Sequence, residues 1–121
     1  MSKRILAVDD SASMRQMVFF TLEGAGFEVT SAEDGQQALS IAQKESFDLV
    51  LSDVNMPIMN GIQLIKELRK LATYKFTPIL MLTTESGTTK KMEGKQAGAT
   101  GWIVKPFNPE QLIKTVNRVI G

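Results

Sequence analysis

The chain has 121 residues, enough for one domain of ordinary size with a core that needs no covalent staples. It holds no cysteine and no histidine, which excludes disulfides, thiolate metal sites, catalytic triads and histidine acid–base chemistry. The net charge of +1 hides an asymmetry: residues 1–60 carry 4 basic and 9 acidic side chains, residues 61–121 carry 10 and 4.

In chain order, five apolar strand-like runs alternate with five helical patterns. "KRILAV" reads as the first strand. "SMRQMVFFTLEGAG" follows as a helix, with Met14, Met17, Val18, Leu22 and Ala25 at helical spacing and glycine stops at 24 and 26. "FEVTSA" alternates as a strand does. "DGQQALSIAQKE" is helical, with Ala38, Ile41 and Ala42 on one face. "FDLVLS" is the third strand, and "GIQLIKELRKLA" is helical through Ile65, Leu68 and Ala72. "TPILMLT" is continuously apolar, as a central strand covered on both faces should be. "GTTKKMEGKQAG" is the fourth helix and "TGWIVK" the fifth strand. "NPEQLIKTVNRVI" is the clearest helix, with Asn108 as N-cap, Pro109 at the first helical position and Gln111 placed to close a capping box.

Strict alternation implies an α/β domain: a doubly wound parallel sheet with helices on both faces, here a single unit spanning 1–121. "MSKR" precedes only four apolar residues, and no run reaches membrane-spanning length, so a cytoplasmic address without a membrane partner is expected. The late bases form no arginine-rich run interleaved with aromatics, so a nucleic-acid partner is not expected.

Ligands of open parallel sheets bind outside the carboxyl ends of the strands, where the strand order reverses. Asp9 and Asp10 end strand one, Asp53 ends strand three, Thr83 and Thr84 end strand four, and Lys105 ends strand five. Three carboxylates on one edge resist ionising together unless a cation is present. With no nitrogen or thiolate ligand available, that cation is held by oxygen, which points to Mg²⁺.

"VDDS", "SDVNMPIMNG", "MLTTE" and "GATGWIVKPF", spaced as they are, resemble the receiver domain of two-component response regulators over residues 3–120. Within that family the chain is similar to the single-domain, CheY-like chemotaxis regulators. The resemblance implies a flavodoxin-like (βα)5 sandwich with strand order 2-1-3-4-5. It implies that Asp53 is the phosphoacceptor, taking its phosphoryl group from a histidine kinase or a small acyl phosphate. Asp10 would bind Mg²⁺ directly, Asp9 through water, and Asn55 through its backbone carbonyl. Lys105 would meet the phosphoryl oxygens, aimed by a cis bond to Pro106, and Thr83 would donate its hydroxyl. Trp102 occupies the aromatic switch position, although a lone tryptophan in a small domain is also ordinary core. Its inward turn would reshape the face made by the fourth helix, fifth strand and fifth helix. Asn55 and Glu85 would tune self-dephosphorylation.

The implied partners are the kinase, an output protein such as the flagellar motor switch, and a phosphatase, with the regulator itself monomeric. Ser11 and Thr84 depart from commoner family choices, and Thr84 is expected to narrow access for the aromatic. The fourth helix, with glycine at 87 and 94 and little apolar content, is expected to be the least stable. Rival readings are a stand-alone receiver in a non-chemotaxis phosphorelay and a magnesium-dependent aspartyl phosphatase, although the latter class places its nucleophile after strand one. A nucleotide- or flavin-binding domain would need a glycine-rich loop that "DDSASM" does not offer.

Overall fold

The computed structural model describes residues 3–54, 56, 58–83 and 88–120. Its strands are β1 (Arg4–Val8), β2 (Glu28–Ala32), β3 (Leu49–Asp53), β4 (Ile79–Thr83) and β5 (Gly101–Val104). Helices α1 (Ala12–Gly24), α2 (Gly35–Lys44), α3 (Gly61–Arg69) and α4 (Thr88–Ala97) join them in turn, and α5 (Pro109–Ile120) follows β5. All pairings are parallel and the order is β2-β1-β3-β4-β5. This is the flavodoxin-like arrangement expected, and it puts the reversal of strand order between β1 and β3.

Alternate strand residues point to opposite faces, so each run feeds two cores. Leu6, Val8, Val50, Ile79 and Met81 meet α2, α3 and α4 on one face. Ile5, Ala7, Leu49, Leu51, Leu80 and Leu82 meet α1 and α5 on the other. β3 and β4 are buried along their whole length, which is why their sequences are continuously apolar rather than alternating.

Helix starts follow the capping chemistry. Ser11, Asp34 and Asn60 accept from backbone amides as N-caps. Asn108 and Gln111 exchange the two bonds of a capping box at 3.0 and 2.8 Å. Two boundaries differ from the periodicity. Helix α1 stops at Gly24, and Ala25 is an exposed cap rather than part of the apolar face. Helix α3 stops at Arg69, not Ala72; a 3₁₀ turn (Ala72–Tyr74) follows, and Ala72 is exposed. Burial of Tyr74 explains the break: its ring is fully enclosed and its hydroxyl donates to the Ala42 carbonyl at 2.9 Å, a position a continuing helix would miss.

Helices α4 and α5 are anchored differently. Leu112 and Val116 seat α5, and a fully buried aliphatic side chain stabilises by about 1.5–3 kcal/mol. Met92, the strongest hydrophobe of α4, is 59% exposed. The interior Gly94 has a local reason: a Cβ there would fall 2.2 Å from the Met81 Cε, so the missing side chain is the space the β4 thioether fills.

Candidate phosphoryl and cation site

Each strand delivers its last residue to the same edge. Asp9 follows β1 directly and is 3% exposed. Its amide donates to the Ala32 carbonyl at 3.2 Å, so the parallel pairing with β2 carries it into the crevice. Asp53 is the final residue of β3 and is also buried. Gly61 opens α3 so tightly against it that a Cβ at 61 would lie 2.2 Å from the Asp53 carbonyl oxygen. Asp10 is exposed at the rim, and carboxylate oxygens of Asp9, Asp10 and Asp53 all lie within 4.8 Å of one another.

Lys105 supplies the counter-charge. Its amide donates to the Thr83 carbonyl at 2.7 Å, and its bond to Pro106 is cis, as the family resemblance implies. Its ammonium spans two carboxylates, 3.0 Å from Asp9 Oδ2 and 3.3 Å from Asp53 Oδ1. The expected conflict between like charges is real and only partly relieved. Burial pushes the Asp53 carboxyl above the ordinary range, the Asp9 charge adds to the rise, and Lys105 opposes both. The donor set is all oxygen, clustered and short of positive charge, which fits a hard divalent cation.

Thr83 ends β4, buried beside this edge. Trp102 is not core: it is 37% exposed on the edge strand β5, opposite Met81, with the Lys91 ammonium 5.1 Å from its ring centroid. Lys95 and Met92 complete the apolar hollow beside it, and Lys114 and Arg118 line a second cleft across β5. Asn55, Thr84 and Glu85 lie outside the described residues, as does Gly87 ahead of α4.

Two contributors were not singled out as site residues from the sequence. The Ser11 amide donates to Asp9 Oδ1 at 2.9 Å, and its hydroxyl caps α1. Arg15 donates to the Asp9 carbonyl at 2.7 Å. A serine directly ahead of a helical run is an N-cap signal, so Ser11 was within reach of pattern reading.

A crevice of aspartates, lysine and threonine at the switch point of a parallel sheet defines a class of phosphoryl- and cation-handling domain. The chain belongs to the response regulator receiver domain family, whose model matches residues 5–117. It is thus a phosphoaccepting signalling domain of the two-component response-regulator class. Among solved structures it is similar to the chemotaxis protein CheY4 of Vibrio cholerae, with 59% identity, a TM-score of 0.97, and coverage of 99% of this chain and 100% of that one. It is also similar to the receiver domain of the sensor histidine kinase PA1611 of Pseudomonas aeruginosa PAO1, described with a magnesium ion coordinated in its active-site cleft. There the identity is 28%, the TM-score 0.92, and the coverage 100% of this chain and 99% of that one. Transcriptional regulatory protein SrrA of Staphylococcus aureus is 38% identical over 120 residues, 99% of this chain but 48% of that protein. The chain therefore spans about half the length of the curated relatives it matches.

Proposed function

We propose that Asp53 accepts a phosphoryl group from a phosphohistidine on a partner kinase, and that the modified domain signals by binding an output protein. One juxtaposition carries this reading: Asp53 ends β3 with Asp9, Asp10 and the Lys105 ammonium gathered around it at the switch crevice. An Asp53 carboxylate oxygen forms a bond to phosphorus as the phosphorus–nitrogen bond of the donor breaks; the nitrogen keeps the electron pair and, with a proton already on the other ring nitrogen, neutral imidazole leaves. This chain has no histidine, so that imidazole comes from the partner. Asp10 and Asp53 would hold Mg²⁺ directly, Asp9 through water, with the Asn55 carbonyl as a further ligand. When bound, the ion supplies the charge that lets the carboxylates stay ionised together and that offsets the phosphoryl oxygens.

The protein's own groups do the rest by position. Lys105 shifts its ammonium from the carboxylates toward the phosphoryl oxygens, and Thr83 donates its hydroxyl to them. Asn55 and Glu85 orient the water that later removes the group, and a phosphatase partner speeds that step. Trp102 follows Thr83 inward and changes the α4–β5–α5 face. The apolar hollow beside Trp102, rimmed by Lys91 and Lys95, fits an acidic amphipathic segment on the output protein.

Chemotaxis-type output, with the flagellar motor switch as partner, is favoured by the 59% identity to CheY4 across that chain's whole length. A role in a non-chemotaxis phosphorelay is the second reading, and the likeness to SrrA supports it. On the likeness to CheY4, we take this receiver domain to act in the cytoplasm as a monomer that binds neither membrane nor nucleic acid. No helix among the described residues is long and apolar enough to cross a membrane.

Mass spectrometry after acyl-phosphate treatment with Mg²⁺ should add one phosphoryl group to the wild type and none to Asp53→Asn. Modification of the Asn variant would move the acceptor elsewhere and end this assignment. Beryllium fluoride with Mg²⁺ should change Trp102 fluorescence in the wild type alone. Steady turnover of a phosphate ester would favour the aspartyl phosphatase instead.

A further inference from the structure

Arg15 lies on the first turn of α1, outside the motifs that carry the family resemblance. Its side chain is 19% exposed, and Nη2 lies 3.8 Å from the Glu33 carboxylate while Nη1 donates to the Asp9 carbonyl at 2.7 Å. The other polar atoms of Asp9 are engaged as well. Its amide reaches Ala32, Oδ1 accepts from the Ser11 amide and Oδ2 accepts from Lys105. Asp10 differs: among the described residues its carboxylate has no hydrogen-bond or ion-pair partner, yet it joins the carboxylate cluster. What the described bonds do fix is the backbone on either side of it. Each of the two peptide planes flanking Asp10 is pinned by one bond. The preceding plane contains the Asp9 carbonyl held by Arg15, and the following plane contains the Ser11 N–H held by Asp9 Oδ1.

We propose that Arg15 is a positioning residue for the cation site: by holding the Asp9 carbonyl it fixes the Asp9–Asp10 peptide plane and aims the Asp10 carboxylate at the ion shared with Asp53. This rests on the reading that Asp9, Asp10 and Asp53 hold Mg²⁺. Charge and position predict opposite signs, which makes the idea testable. Arg15 is a cation beside a cation site, so deleting it through charge alone would tighten Mg²⁺ binding. Losing the aim weakens binding, because outlying hydrogen bonds that orient ligands are commonly worth about 10- to 100-fold in metal affinity.

Calorimetric titration of Mg²⁺ into the wild type, Arg15→Met, Arg15→Ala and Arg15→Lys decides it, with circular dichroism and urea unfolding as fold controls. Both truncations should weaken Mg²⁺ about tenfold, and Arg15→Lys, which keeps a donor and the charge, should return to within about threefold of wild type. A truncated variant that folds and binds Mg²⁺ as tightly as wild type, or more tightly, overturns the proposal, as does a lysine variant no better than methionine. Failure of both truncations to fold also overturns it, since Arg15 would then serve the fold. A wild type that takes up no Mg²⁺ removes the site reading itself, whereas binding indifferent to Arg15 removes only the positioning role.

Discussion

The two ends of the sheet both bury polar groups, and they do so to opposite effect. At the carboxyl end, Asp9 and Asp53 share one ammonium, and Asp53 is held above its ordinary pKa range by burial and by its neighbour. Ile58, in the loop after β3, adds strain there with φ at 70°, a value β-branched residues rarely adopt. At the amino end the buried groups are satisfied by the backbone. Arg69 donates to the carbonyls of Thr77 at 2.6 Å, Tyr74 at 2.7 Å and Gly98 at 2.7 Å, which ties the ends of α3 and α4 to the approach to β4. Gly98, at φ 113°, packs 3.0 Å from the Arg69 side chain, measured from where its Cβ would be. Tyr74 closes the same end with its hydroxyl on the carbonyls of Ala42 and Glu45. The difference teaches where the chemistry belongs: one end locks the fold, the other stores an electrostatic debt that an incoming cation would relieve.

Breaking the locked end should give the largest effect. Arg69→Ala leaves four carbonyls, those of Tyr74, Lys75, Thr77 and Gly98, without their charged donor, and bonds to charged groups contribute about 1.5–3 kcal/mol each before relaxation. We expect a net loss of about 3 kcal/mol in urea unfolding; a loss under about 1 kcal/mol would show that water replaces the guanidinium freely. Tyr74→Phe should cost about 1–2 kcal/mol at neutral pH, since two acceptors lose their donor while the ring stays packed. Burial raises the Tyr74 hydroxyl above its ordinary 10.0. Its contribution is therefore fully present below the unfolded-state pKa and is lost as pH rises through the folded-state value. The gap between wild type and Tyr74→Phe should hold from neutral pH to about 10 and shrink above it; a gap that widens in alkali would contradict the buried-phenol account.

Relieving the charged end should do the reverse. The folded state raises the Asp53 pKa, so this group's contribution to stability is complete below the ordinary carboxylate value of 3.8 and is lost as pH rises through the folded-state value. At neutral pH without divalent cations, Asp53→Asn should be more stable than wild type, by less than the Tyr74 variant loses. Mg²⁺ at about 100 times its Kd adds about 2.7 kcal/mol to the wild type by mass action and less to the variant, so the order should invert. Melting curves in chelator and in Mg²⁺ measure both halves, and an Asn variant that is less stable in chelator would show that Lys105 alone already settles the charge.

The end that carries the candidate site was legible because its residues announce themselves. Long apolar runs reveal β3 and β4, and a charged or hydroxyl residue at each carboxyl end stands out against them. The locked end was silent. Arg69 and Tyr74 act on backbone carbonyls distant in sequence, which no side-chain spacing encodes, and Tyr74 also ended α3 earlier than its periodicity did. The same holds for Arg15, whose partner is a peptide carbonyl. Gly94 reads as a helix penalty until Met81, thirteen positions earlier, is found in its space. The two readings of Trp102 could be separated only by sheet order, since its exposure follows from β5 lying at the edge.

The smallest expected effect lies where the two ends meet along α4. Its C-terminus reaches the locked end, where the Gly98 and Ala99 amides bond back to the Gly94 carbonyl and Arg69 holds the Gly98 carbonyl. Little along its length replaces that anchor: Gly94 and Ala97 are its buried residues among those described, and Met92 faces water. Met92→Ala should therefore change stability by less than about 0.5 kcal/mol, as exposed substitutions do. Hydrogen exchange should give amides 91–96 protection about tenfold below those of α5, an opening that is sub-global rather than whole-molecule. Equal protection in the two helices would mean that the Gly94–Met81 contact and the Arg69 clamp hold α4 as firmly as Leu112 and Val116 hold α5. A helix so fixed would be a poor moving part, and the output change would then have to travel through β5 and Trp102 alone.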